Sequence, residues 1–303
     1  MKQTNPHMFD QVIGRGNGPR SLSYTWRDVA LYALGIGAHK KDLPYVYERT
    51  EMKALPTFGL IPYLNSVTMN PQKRVPQTPA TIVDDMIIEA LGGKIPSRLH
   101  MAMEMIVYRP INPVQGTFLC EDKVENVYDR GEGKGIAVQA RMDVYDVAGR
   151  PICTAISTHA IFAFGGYGGQ KLPSHTLIYP TRKPDYMVKD HLSDIQAILY
   201  RLSGDTYDVH IDPTRAQKYG FKGPYMQGLC SYGFACRMGI EAVCPGEPEQ
   251  MVHMYAQMRN VCYPNTDICF IGWNMGAGQV YFRLLDNAGN AILDNGLMVF
   301  KDL

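Results

Sequence analysis

The feature that most constrains this chain is an internal repeat. Thr25 stands six residues before LYAL (31 to 34), and Ser193 stands six residues before LYRL (199 to 202). Both fit a capped helix start, with Asp28 or Gln196 three residues on completing a capping box. At the same offset, Pro56 in ALPTFGL answers Pro224 in GPYMQGL. Each copy then closes on an alternating β pattern around a turn. DVAGRPI (146 to 152) matches DNAGNAI (286 to 292), and each leads into a last strand ending at Phe162 or Phe300.

Each half therefore reads as a capped helix, a longer apolar helix and an antiparallel meander such as ICFIGWNM, QVYFRLLD and AILDNGLMVF. A helix lying on one face of an antiparallel sheet is an α+β architecture. The length of 303 residues, more than one core usually takes, agrees with two units. The expected boundaries are 1–163 for the first copy, 164–185 for a Gly- and Pro-rich linker, and 186–303 for the second copy. The glycines of that linker do not follow the phosphate-loop pattern and do not open a helix within a βαβ unit.

Composition excludes several classes. Thirty Lys and Arg against 29 Asp and Glu, with no basic run, argue against a nucleic-acid partner. There is no run of 18 apolar residues and no leader-like N-terminus, so no membrane span and no secretion are expected. Seven cysteines without a C-x-x-C pair point away from a disulfide framework or a zinc site, and no metal is expected. A cytoplasmic location is the expectation, and the final Lys301-Asp302-Leu303 is not an S-K-L type address.

Against the repeat, one stretch differs. The offset sets Gly37 opposite Asp205 and Asp42 opposite His210, so the acid and the histidine of YRLSGDTYDVHIDP (200 to 213) belong to the second copy alone. They are not needed to build the fold. A Ser-Gly break before them and Asp-Pro after them favour a tight loop aiming both side chains at one place. Downstream, Gly223 to Leu229 precedes a helical run, and a glycine such as Gly228 at a helix start leaves backbone N–H groups facing an anion or a developing oxyanion.

The stretch SGDTYDVHIDPTRAQKYGFKGPYMQGLCSYGFA (203 to 235) resembles the signature of the (R)-specific enoyl-CoA hydratases, the hydratase 2 or MaoC-like family. YTWRDVALYALGIGA, ALPTFG, LH followed by YRPINPVQG, VYDRGEG and AQMRNVCYPNT are similar to family segments and stand in family order, so the resemblance covers nearly the whole chain. It implies two hotdog units, in each of which a sheet wraps a long helix, with a degenerate first copy that binds substrate and a catalytic second one. A homodimer is expected.

By resemblance, Asp205 and His210 are the catalytic pair of a hydro-lyase that hydrates a 2-enoyl-CoA to a (R)-3-hydroxyacyl-CoA or dehydrates it. Either group can serve as acid or as base. Gly228 offers its amide to the thioester oxygen, and His100, Met101, Arg130, Tyr207, Gln227 and Met258 fall at substrate-contacting positions, with Arg130 suited to a CoA phosphate. The partner is an acyl-CoA thioester, and no cofactor is expected beyond the CoA of the substrate.

The sequence also departs from the family. Tyr207-Asp208 replaces the usual Asn-Pro, Gln227 replaces a His before the oxyanion glycine, and Met101-Ala102-Met103 replaces Gly-Glu-Gln. A tyrosine is larger than asparagine and offers one hydroxyl in place of an amide. The expectation is a bulky or unusual acyl group. Two other readings stand beside the hydratase: an acyl-CoA-binding protein whose site has decayed, and a hotdog thioesterase.

Overall fold

The computed structural model describes residues 4–16, 18–49, 51–65 and 98–301. Its ten strands are β1 (Arg20–Thr25), β2 (Arg98–Val107), β3 (Gln115–Asp129), β4 (Ile136–Tyr145), β5 (Pro151–Ile161), β6 (Tyr186–Leu192), β7 (Met251–Met258), β8 (Thr266–Gly276), β9 (Gln279–Asp286) and β10 (Ala291–Phe300). They form one sheet in the order β1-β3-β4-β5-β2-β7-β10-β9-β8-β6. All named strand pairs in it are antiparallel. Read from the centre outward, the two halves are the same list, with β2 answering β7, β5 answering β10 and β1 answering β6. This is the expected pair of hotdog units, joined by the β2–β7 ladder from Ala102↔Gln257 to Ile106↔His253.

The local chemistry of the repeat explains its shape. Asp146 accepts the backbone N–H groups of Ala148 and Arg150, and Asp286 accepts those of Ala288 and Asn290, all at 2.8–2.9 Å. The same Asx turn thus closes the same hairpin in both copies. β5 ends at Ile161, one residue before Phe162, and β10 at Phe300.

Among the described residues there are six helices: α1 (Trp26–Gly35), α2 (Leu43–Val46), α3 (Ile61–Asn65), α4 (Gln196–Arg201), α5 (Pro213–Lys218) and α6 (Gly228–Val243). Every residue of α6 from Leu229 to Ile240 is buried, as expected of a helix apolar on all sides that a sheet encloses. In the first copy a 3-10 turn (Pro56–Leu60) and α3 stand where the second copy has α6, and residues 66–97 that follow lie outside the described set.

The capping box at Thr25 and Asp28 forms as read. Its partner in the second copy does not. α4 begins at Gln196 itself, behind Ile195, and the Gln196 amide is shared, its Oε1 accepting from Ser193 Oγ at 3.1 Å. Its Nε2 donates to the carbonyls of Leu34 at 3.1 Å and Gly35 at 2.7 Å, the free end of α1. Carbonyls at a helix C-terminus lack full helical pairing and accept side-chain donors, which gives the Gln196 N–H groups this long-range partner.

The glycine-rich segment after β5 wraps a carboxylate of this chain. Asp129 accepts the N–H groups of Gly131, Gly166 and Gly168 at 2.7–2.8 Å. Against the burial that raises its proton affinity, these amides hold its carboxyl below the usual range. Further along, Tyr179 donates to the Phe282 carbonyl and to Asp294, both at 3.0 Å, which straps the segment across the second copy. A second small core forms where Phe9, Val12 and Tyr167 cover Val124, Val127 and Val138 of the first copy.

Candidate active site

The stretch after α4 turns sharply because Gly204 takes a φ of +127°, a region that side-chain-bearing residues avoid. The chain then passes through Asp205 into a 3-10 turn at Asp208–His210 and into α5. Asp212 caps α5 by accepting from Thr214 N–H at 2.8 Å and Arg215 N–H at 3.4 Å. Asp208 takes the Arg215 Nε–H at 2.7 Å. These bonds give the loop a fixed shape, with Asp205 and His210 both buried.

His210 Nδ1 donates to the Tyr225 carbonyl at 2.8 Å. That bond assigns the ring proton to Nδ1 and leaves the Nε2 lone pair open to accept one. Burial pushes the His210 pKa down, against the opposing pull of Asp205 and of the Tyr225 carbonyl. The ring is therefore neutral near neutral pH. Burial, and then the Asp205 charge, push the Tyr225 hydroxyl up to about 12, so it stays a proton donor. The Tyr225 and Tyr207 rings stand edge-on to His210, at 4.9 Å and 6.0 Å between centroids. Tyr207 is half-buried, and its N–H donates to Asp205 Oδ1 at 3.4 Å.

Gly228 is the first residue of α6, where the N–H groups ahead of Cys230 come before the first bond to a helical acceptor, the Gln227 carbonyl, and the helix dipole is positive. A Cβ built on it would lie 3.5 Å from Met258 Cγ and 3.8 Å from His100 Nδ1. The structure thus brings together three of the expected residues from three elements. His100 donates from Nε2 to the Ala102 carbonyl at 3.0 Å and stacks on His159 at 4.4 Å and 8°. Burial, outweighing the Ala102 carbonyl, pushes its pKa down to about 4. A neutral His100 presents its Nδ1 lone pair towards Gly228. Met101 is the extra residue of a β-bulge, since His100 pairs with His159 and Ala102 with Thr158.

Arg130 sits at the same end of the sheet, as the register Asp129↔Ile136, Ile136↔Ile161 and Arg98↔Ile161 shows. Three strand spacings of about 4.8 Å put it about 14 Å across from β2. It donates to the Lys134 carbonyl at 2.9 Å and lies over the Phe162 ring. Gln227 is wholly enclosed, and its Nε2 donates to the Ala197 carbonyl at 3.0 Å. The reading from sequence missed Tyr225. Its main contribution is a backbone carbonyl, which no residue type announces.

An acid and a neutral imidazole beside a helix N-terminus can move protons on and off a substrate whose carbonyl gains negative charge. Comparison with known proteins gives the same direction. Residues 22–164 match the MFE-2 hydratase 2 N-terminal domain, and residues 177–292 match the MaoC like domain. A probable enoyl-CoA hydratase 2 of Dictyostelium discoideum is 31% identical, over 97% of this chain and 96% of its own length. The peroxisomal multifunctional enzyme type 2 of Mus musculus is 30% identical over 95% of this chain, which spans 38% of that enzyme. Among solved structures, a MaoC-like dehydratase from Phytophthora capsici superposes with a TM-score of 0.81 and 31% identity, covering 96% of this chain and 98% of that one.

Proposed function

This chain belongs to the family of hydratase 2 and MaoC-like dehydratases, and from that premise we propose that Asp205, His210 and the Gly228 amide carry out the reversible hydration of a 2-enoyl-CoA thioester. The protein is a hydro-lyase acting on an acyl-CoA. The observation that carries the assignment of residues is the His210 Nδ1–Tyr225 bond, which holds a neutral imidazole with its Nε2 free, in a loop shared with Asp205.

In hydration, water gives its oxygen to the β-carbon and one proton to the Asp205–His210 pair, while the α-carbon receives one proton from that pair. The pair ends with the protons it began with. Charge that builds on the thioester oxygen meets the Gly228 N–H and the positive end of α6. The product is a 3-hydroxyacyl-CoA, for which we propose the (R) configuration. His100, Met101 and Met258 line the thioester seat in this reading, Arg130 pairs with a CoA phosphate, and no cofactor is needed beyond the substrate's own CoA.

Tyr207 narrows the space beside His210 and offers a ring face, which supports a flat or bulky acyl group. All seven cysteines are free thiols, which suits a reducing compartment, and we propose the cytoplasm. Among the described residues no helix is long and apolar enough to cross a membrane. We further propose a homodimer. The decisive experiment is a panel of 2-enoyl-CoAs followed by loss of the conjugated-thioester absorbance. Hydration of at least one of them, lost in Asp205→Asn, is expected. Release of free CoA without hydration refutes the reading.

A further inference from the structure

We infer that Gln227 and Gln196 are positioning residues, two buried amides that together set the separation between the Asp205 loop and the Gly228 N–H. The inference rests on the roles proposed above for Asp205 and Gly228. Gln227 is the residue whose peptide leads directly into the Gly228 amide, and its side chain is fully buried. Its Nε2 donates to the carbonyl of Ala197 in α4, at 3.0 Å. The neighbouring residue of α4, Gln196, is also buried and donates to the Leu34 and Gly35 carbonyls of α1. From α4 the chain turns at Gly204 into Asp205.

These bonds make a line from the first copy to both parts of the site. α1 holds α4 through Gln196, the loop that leaves α4 carries the acid, and α4 also holds the start of α6 through Gln227. The helices touch closely along this line, since a Cβ on Gly35 would lie 3.3 Å from the Cα of Tyr200. An apolar side chain would fill the Gln227 position at lower cost, because the Gln227 Oε1 is buried with no hydrogen-bond partner among the described residues. What the apolar side chain lacks is the bond to Ala197. That bond fixes where the Gly228 N–H points relative to Asp205, and misplacement of a reacting group by about 1 Å costs rate by factors of about 100.

The oxyanion contact strengthens only as charge develops, so its misplacement acts on kcat far more than on KM. The test is Gln227→Met and Gln196→Met, beside Gln227→His and Asp205→Asn, assayed with crotonyl-CoA and a medium-chain 2-enoyl-CoA and melted by circular dichroism. Expected are a drop in kcat of about 10-fold or more in each Met variant with KM within about threefold, and kcat within about threefold of the parent in Gln227→His, whose ring N–H can still donate to Ala197. A folded Gln227→Met with parental kcat overturns the inference. So does a Gln227→His variant that melts like the parent yet loses ten-fold or more in kcat, and this result is available even where Gln227→Met does not fold. If Asp205→Asn keeps parental turnover, the active-site reading falls and this inference with it. Loss in Asp205→Asn beside parental kcat in Gln227→Met overturns the amide bridge alone.

Discussion

Substituting Gly228 by alanine separates a structural glycine from a functional one, because the two roles predict opposite signs. Gly228 is not a left-handed residue, and the nearest atoms that a new Cβ would meet are Met258 Cγ at 3.5 Å, His100 Nδ1 at 3.8 Å and Met258 Cε at 3.9 Å. These are ordinary van der Waals distances, so the fold has room for the methyl. Alanine is also the better helix former, by up to about 1 kcal/mol, and it lowers the entropy of the unfolded chain. Stability should therefore hold or rise slightly. Activity should fall, because the methyl fills the gap between His100 and Met258 that is the proposed seat of the thioester beside the Gly228 N–H. Losing one oxyanion donor costs about 10²–10³ in kcat, or about 3–4 kcal/mol. The assay pairs steady-state hydration of a 2-enoyl-CoA with a thermal melt. A Gly228→Ala enzyme with unchanged Tm and kcat/KM within about threefold of the parent, about 0.7 kcal/mol, would refute the placement of the thioester over Gly228.

Asp205→Asn and His210→Gln should each lower turnover by orders of magnitude without unfolding the protein, and the double variant should lose little more than either single one. Near-normal hydration by either variant removes that residue from the mechanism. Tyr207→Asn should raise kcat/KM on short straight-chain enoyl-CoAs relative to bulky ones, and a ratio that moves by less than about threefold ends the inference about acyl shape. The histidines also set a pH dependence. His100, pushed down to about 4 from an ordinary 6.5, and His210, lowered as well, are neutral in the fold but take up protons when it unfolds. Their contribution to stability is thus complete above about pH 6.5 and is lost as pH falls, for His100 through the window down to about 4. Denaturant titrations at pH 7 and pH 4.5 should show His100→Gln losing less stability on acidification than the parent, by about 2–3 kcal/mol. Equal losses would place His100 in a more solvated setting.

Several features of this protein are written in its sequence because they are local. The paired hairpins depend on Asp146 and Asp286 folding back on their own turns, and the Thr25–Asp28 box depends on residues three apart. The tight loop that carries Asp205 and His210 depends on Gly204 and the Asp212 cap. Neighbours in the chain are neighbours in space, so residue type and spacing suffice. Other features arise only when distant segments meet. Ser193 and Gln196 have the spacing of a cap and their side chains meet at 3.1 Å, yet the Gln196 Nε2 goes to the Leu34 and Gly35 carbonyls of α1, a pairing that only tertiary packing brings about. His210 is held by a carbonyl fifteen residues on, and that atom is the same in every residue. His100 acquires its lowered pKa from burial in the folded chain, where it also stacks on His159 of β5. The proposed pair was legible because it lies on one loop, whereas the proposed seat beside it is assembled from β2, β7 and α6, and a sequence carries no measure of the distance between elements that only the folded sheet and its helix bring together.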